Sequence, residues 1–154
     1  MEFLRRKIIL LIFTAAGFSA VSQVSQEALE AAFTKSYQHE KSGDFKASAD
    51  DLKKVYDEAS YEINLRLGWL NYNAGLFDES VIFYSNAQKL KPYSEEARFG
   101  LILPKAALGR WNEVIELYNK ILEISPNNTV ALYRLDWFIT GAKITTKHSR
   151  SSKK

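Results

Sequence analysis

The chain has 154 residues, 46% of them apolar and 13% aromatic, enough to bury the core of one ordinary domain and too apolar for a disordered chain. It contains no cysteine, which excludes disulfides, thiolate nucleophiles and cysteine-ligated metal centres. The net charge of +3 comes from the ends: residues 23–142 hold 13 Lys and Arg against 17 Asp and Glu, so the body is mildly acidic and lacks the cationic excess of a nucleic-acid-binding face.

Residues 1–22 open with Arg5, Arg6 and Lys7, continue with an apolar run from Ile8 to about Phe18, and end in small and polar residues. This is the layout of a secretory signal peptide, with cleavage expected after Ser22 because Ala20 and Ser22 are small. The alternative is a membrane tether that is never cut, although the run falls well short of the roughly 20 apolar residues that span a bilayer. Export to the periplasm or the cell exterior is the expectation.

From Gly43 onward a helical pattern recurs. "GDFKASADDLKKVYDEAS" begins at Gly43, "GLFDESVIFYSNAQKLKP" at Gly75 and "GRWNEVIELYNKILEISP" at Gly109, in steps of 32 and 34 residues. An aromatic follows two residues after each glycine: Phe45, Phe77 and Trp111. Then come Ser48, Ser80 or Val114, followed by Leu52, Tyr84 or Tyr118, and by Val55, Ala87 or Ile121. These three- and four-residue steps lay one apolar stripe along a helix. Pro92 and Pro126 end the second and third of these helices, because proline cannot continue the hydrogen-bond ladder.

A second amphipathic segment precedes each glycine. In "YEINLRLGWLNYNA" the residues Ile63, Leu67, Leu70 and Ala74 share one side, and Ser94 is the expected N-cap of the segment before Gly109. The unit is thus helix, glycine turn, helix, turn. Each glycine is expected to close the first helix at positive φ. Gly68 and Ser80 are expected to let the two helices approach closely. No single pair can bury its apolar face alone, which is why such units stack in arrays.

This pattern resembles the tetratricopeptide repeat, TPR. Leu67, Gly68, Tyr72, Gly75, Phe77, Ser80, Tyr84, Ala87 and Pro92 carry the resemblance in the second unit. Leu101, Gly109, Trp111, Tyr118 and Pro126 carry it in the third, where Ile102 stands in place of a glycine. The first unit is degenerate: Lys35 and His39 fall where large apolar residues would be buried, and its first helix is read as using Leu29, Phe33 and Tyr37. The resemblance implies an all-α, right-handed superhelical stack of antiparallel helix pairs. Three units are expected at about 29–60, 61–94 and 95–128, then a terminal capping-like helix over 129–141 with Leu132, Leu135 and Ile139 as its apolar face. Residues 143–154 read as a basic, disordered tail.

The same resemblance implies a concave groove lined by the first helices, with Phe33 and Tyr37 from the first unit, Leu65, Trp69, Tyr72 and Asn73 from the second, and Phe99, Leu103 and Ala106 from the third. Relatives that clamp a C-terminal carboxylate use Lys and Asn where this chain has Leu65, Trp69, Phe99 and Leu103, so that activity is not carried over. The expected partner is another protein or peptide, apolar or amphipathic, with no nucleic acid, no metal and no cofactor. Association with a membrane assembly and self-association through the C-terminal helix, at Trp137 and Phe138, are further expectations. The chain reads as an exported binding module; the alternative is a structural subunit or shortened fragment of a larger envelope assembly.

No catalytic set converges. His39 reads as part of a solvated helix face, and acid pairs such as Asp50–Asp51 and Glu95–Glu96 as helix-start or polar-face residues. The sequon Asn127-Asn128-Thr129 reads as a turn after proline. Pro104 falls inside a predicted helix, where it removes a backbone donor at a typical cost of about 3 kcal/mol. Gly100 is expected to ease the resulting bend.

Overall fold

The computed structural model describes residues 24–138. The predicted signal segment 1–22, Ile139 and the basic tail 143–154 lie outside the described residues.

Six helices follow one another as α1 (Gln26–Lys41), α2 (Phe45–Lys53), α3 (Tyr61–Asn73), α4 (Phe77–Leu90), α5 (Glu95–Ala107) and α6 (Trp111–Ile124). A seventh, α7, covers residues 129–138 up to the end of the described chain. Short polar side chains start several of them. Ser25, Asp44, Ser60 and Ser94 accept hydrogen bonds from the backbone N–H of Ala28, Ala47, Ile63 and Ala97, satisfying donors that a helix start leaves open. Asn128 does the same for α7 through Ala131 N–H, at 3.0 Å, so the sequon sits in a turn and a helix cap. The turns within pairs depend on Gly43, Gly75 and Gly109, whose φ values of 80°, 77° and 70° would strain any L residue.

Each pair packs internally, α1 on α2, α3 on α4 and α5 on α6, and each second helix packs on the next pair. The contact within pairs varies along the stack. In the first pair the Ser48 hydroxyl donates to the Ser36 carbonyl at 2.8 Å, with the two hydroxyls also 2.8 Å apart. In the second, the Ser80 hydroxyl donates to the Gly68 carbonyl at 2.7 Å. In the third, Ile102 and Val114 occupy the matching positions, buried and apolar. Small residues therefore set the close approach expected at Gly68 and Ser80, and apolar ones replace them at the far end.

The step of 32 residues shows in α2, which has nine residues where α4 and α6 have 14. The first helix also explains Lys35 and His39. Ser36 matches Gly68 in register, so Lys35 takes the place of the buried Leu67. No described helix precedes α1 to cover that face, and Lys35 is exposed. His39 is not simply solvated. Its Nδ1 lies 2.7 Å from Asp51 Oδ2, and Asp51 is buried rather than on a polar face. Lys54, 2.6 Å away, is the main cause holding the Asp51 carboxyl below the usual aspartate range; burial opposes it and His39 supports it.

Two positions bind the turns between pairs. Asn64, fully buried, donates to the carbonyls of Glu58 and Ser60 at 3.0 and 2.8 Å and accepts from the Tyr56 hydroxyl. Arg98, 34 residues on, donates to the carbonyls of Ser94 and Pro92. Different side chains thus do one job: they tie the backbone carbonyls of the preceding turn to the helix that follows it.

The remaining differences from expectation are local. Asn71, not Tyr72, is the fully buried residue at the end of α3, and Tyr72 turns onto Phe77 with ring centroids 5.8 Å apart. Pro104 is fully buried inside the continuous α5, so it faces the core. Gly100 carries a constraint from another helix: a Cβ there would lie 2.1 Å from the Tyr84 ring. On α7, Leu132 is exposed; Ala131 is buried and Leu135 and Phe138 pack on the core beneath it.

Candidate functional site: a cleft between the first helices

The first helices are spaced unequally. Among the described residues, α3 and α5 come into backbone contact, whereas α1 and α3 do not. Tyr84 explains the tight side. Its ring lies against both Gly68 and Gly100, and neither glycine has room for a Cβ. On the open side, α3 carries Arg66 where α5 carries Gly100, and this long side chain fills the approach.

A cleft of about 730 Å³ results. Phe33 and Tyr37 of α1, Tyr61, Glu62, Leu65, Arg66 and Trp69 of α3, Tyr84 of α4, Lys91 beyond it and Glu96 of α5 line it. Four of the sequence-predicted groove residues, Phe33, Tyr37, Leu65 and Trp69, meet here. Phe33 and Leu65 occupy matching places in their repeats, as do Tyr37 and Trp69. Trp69 stands edge-on to Phe45 at 5.6 Å and touches the cores on both sides of α3. The other five do not line the cleft. Tyr72 packs on Phe77, Asn73 donates to the Trp69 carbonyl at 2.8 Å, Phe99 packs half-buried against Tyr118, Ala106 packs on the core of the third pair, and Leu103 is exposed.

The charges were not legible in the apolar pattern. Arg66 forms an ion pair with Glu40, and its guanidinium lies 4.6 Å from the Tyr37 ring and 5.1 Å from the Trp69 ring. Such stacking suits a planar, weakly hydrated cation. Burial lowers its pKa, the nearby Tyr37 opposing. Lys91 Nζ sits 3.2 Å from Glu62 and 3.8 Å above the Tyr61 ring. The Tyr61 hydroxyl bonds Ser94 at 2.8 Å and donates to Glu96 at 3.3 Å. Burial raises the pKa of Tyr61 and, more strongly, that of Tyr84. Both phenols stay protonated at neutral pH. Among the described residues no group of three or more His, Asp or Glu is placed to hold a metal ion, and no helix is long and apolar enough to cross a membrane.

The architecture is an all-helical stack of paired helices with a concave, aromatic cleft. Comparison with solved structures sharpens that class: the chain has the tetratricopeptide-repeat fold, a right-handed superhelix of helix pairs. It is similar to the second TPR domain of human RPAP3 in complex with the HSP70 peptide SGPTIEEVD, at a TM-score of 0.63 and 15% identity, covering 73% of this chain and 95% of that one. It is similar to the Yersinia enterocolitica type III secretion chaperone SycD in complex with a peptide of the translocator YopD, at 0.65 and 16%, covering 80% and 98%. It also resembles MamA, at 0.67 and 19%, covering 82% and 81%. No family model and no curated sequence matches the chain.

Proposed function

We propose that this chain is an exported interaction module that binds a peptide or helix of a partner protein in the cleft between α1, α3 and α5, without catalysis. The observation that carries this reading is the cleft itself. Its aromatic and aliphatic wall at Phe33, Leu65 and Trp69 lies on the open side of a rigid stack, where an amphipathic segment could bury its apolar face. Two solved neighbours hold peptides of other proteins, which supports a peptide or protein as ligand. Export rests on the basic start and apolar run of residues 1–22.

The test is affinity capture of the processed protein with crosslinking, followed by titration of the captured segment. Trp69→Ala is expected to abolish binding while circular dichroism stays unchanged. Unchanged affinity would move the site off this face. Mass spectrometry of the mature N-terminus checks the cut after Ser22.

A second reading has its own observation. Trp111, Tyr133 and Trp137 at the α6–α7 end are at least half exposed, a face that would suit a structural subunit of a larger assembly. Light scattering separates the two: a monomer supports the free module, and a dimer abolished by Trp137→Ser supports assembly.

A further inference from the structure

The charges of the cleft are unequally engaged. Arg66 is held by Glu40 and by two aromatic rings, and its side chain is only 21% exposed. Lys91 is held by Glu62 and the Tyr61 face. A ligand carboxylate would have to compete with Glu40 for Arg66 and with Glu62 for Lys91. Glu96 differs. It lines the same cleft, is exposed, and has the Tyr61 hydroxyl as its hydrogen-bond donor. Among the described residues no cation lies within 4.0 Å of it. Glu95 beside it is already engaged by Ser125 and Asn128.

Resting on the peptide-binding reading above, we propose that the cleft selects a partner segment combining apolar side chains with lysine or arginine, the apolar groups lying on Phe33, Leu65 and Trp69 and the cation meeting Glu96. Charge complementarity of this kind gives specificity more than bulk affinity. The preference runs opposite in sign to the acidic end of the SGPTIEEVD peptide held by the RPAP3 domain.

Three labelled amphipathic helical peptides with one apolar face, and polar faces of Lys, Gln or Glu, are titrated against the full chain by anisotropy at low salt. The Lys peptide is expected to bind about tenfold tighter than the Glu peptide, and Glu96→Gln to weaken the Lys peptide about three- to fivefold, the range of a partly solvated ion pair. Glu79→Gln removes the same charge outside the cleft and should leave the ratio unchanged. Trp69→Ala should weaken all three alike.

Equal or tighter binding of the Glu peptide, or a Lys-to-Glu ratio indifferent to Glu96→Gln, overturns the proposal while leaving the cleft as a peptide site. Failure of all three peptides, or indifference to Trp69→Ala, overturns the underlying reading. A synthetic peptide of residues 143–154 is the fourth probe. Tighter binding of that peptide than of the Lys peptide would make the chain's own basic tail the occupant. A dimer by light scattering that reverts to monomer on Glu96→Gln would assign the cleft to a second copy. Either result defeats the proposal.

Discussion

The two ends of the stack share an apolar core and differ in what is added to it. Around α1, α2 and α3, Leu52, Val55, Ile63, Leu67 and Leu70 are buried together, and polar contacts join them: Ser36 with Ser48, His39 and Lys54 with Asp51, Glu40 with Arg66. From α4 onward the core is Tyr84 against two glycines, then Ile102, Val114, Leu117, Tyr118 and Ile121. The same repeat geometry tolerates both. Where Arg66 stands between the first helices a cleft is left; where Tyr84 meets two glycines they close tightly. The proposed binding surface thus sits where the first helices do not meet.

The largest test of this contrast is Tyr84→Ala. The ring fills the space between α3 and α5, and its removal should destabilise the fold by about 3–5 kcal/mol in urea unfolding. Tyr84→Phe should cost far less, because among the described residues its hydroxyl has no hydrogen-bond partner. Gly100→Ala tests the same contact from the other side. Its new Cβ would meet ring carbons at 2.1 and 2.6 Å, and a loss of about 1–3 kcal/mol is expected.

The polar contacts of the first end should declare themselves through pH. Asp51 has a lowered pKa in the folded chain, so the stability it contributes is complete above the ordinary carboxylate value of 3.8 and is lost as pH falls through the lowered one. The gap in melting temperature between the parent chain and Asp51→Asn should therefore be wide at neutral pH and close in acid. A gap that persists there would mean that packing, not ionisation, accounts for Asp51. The smallest effect is expected for Arg66→Met, which keeps the length of the side chain and removes a partly solvated ion pair. Stability should shift by under about 1 kcal/mol in either direction.

Much of the fold is visible in the sequence because repetition marks it. Gly43, Gly75 and Gly109 are constrained by backbone sterics alone, and Ser94 by the open donors of a helix start. Local rules of this kind leave local signatures. Asp51, Asn64, Arg66 and Arg98 do not follow them. Each is polar and largely buried, its partners being other polar side chains or backbone carbonyls, so an apolar stripe cannot reveal it. Gly100 is hidden for a related reason. Its neighbour Pro104 suggests a local explanation, whereas the constraint imposed by Tyr84 comes from another helix. In the cleft, the aromatic and aliphatic half at Phe33, Tyr37, Leu65 and Trp69 follows from register. The charged half depended on which cations were already engaged, which only the packing shows.

Trp69 and Leu65 carry a last consequence. Trp69 touches the apolar clusters on both sides of α3, and Leu65 joins two clusters on its far side. In a linear array, stability divides into the intrinsic terms of each repeat and the coupling between neighbours. With a shared aromatic at the junction, that coupling runs through Trp69 where the cleft opens. The helix pairs are therefore expected to unfold together as one cooperative unit, and a ligand seated on Trp69 would raise the melting point of the whole stack.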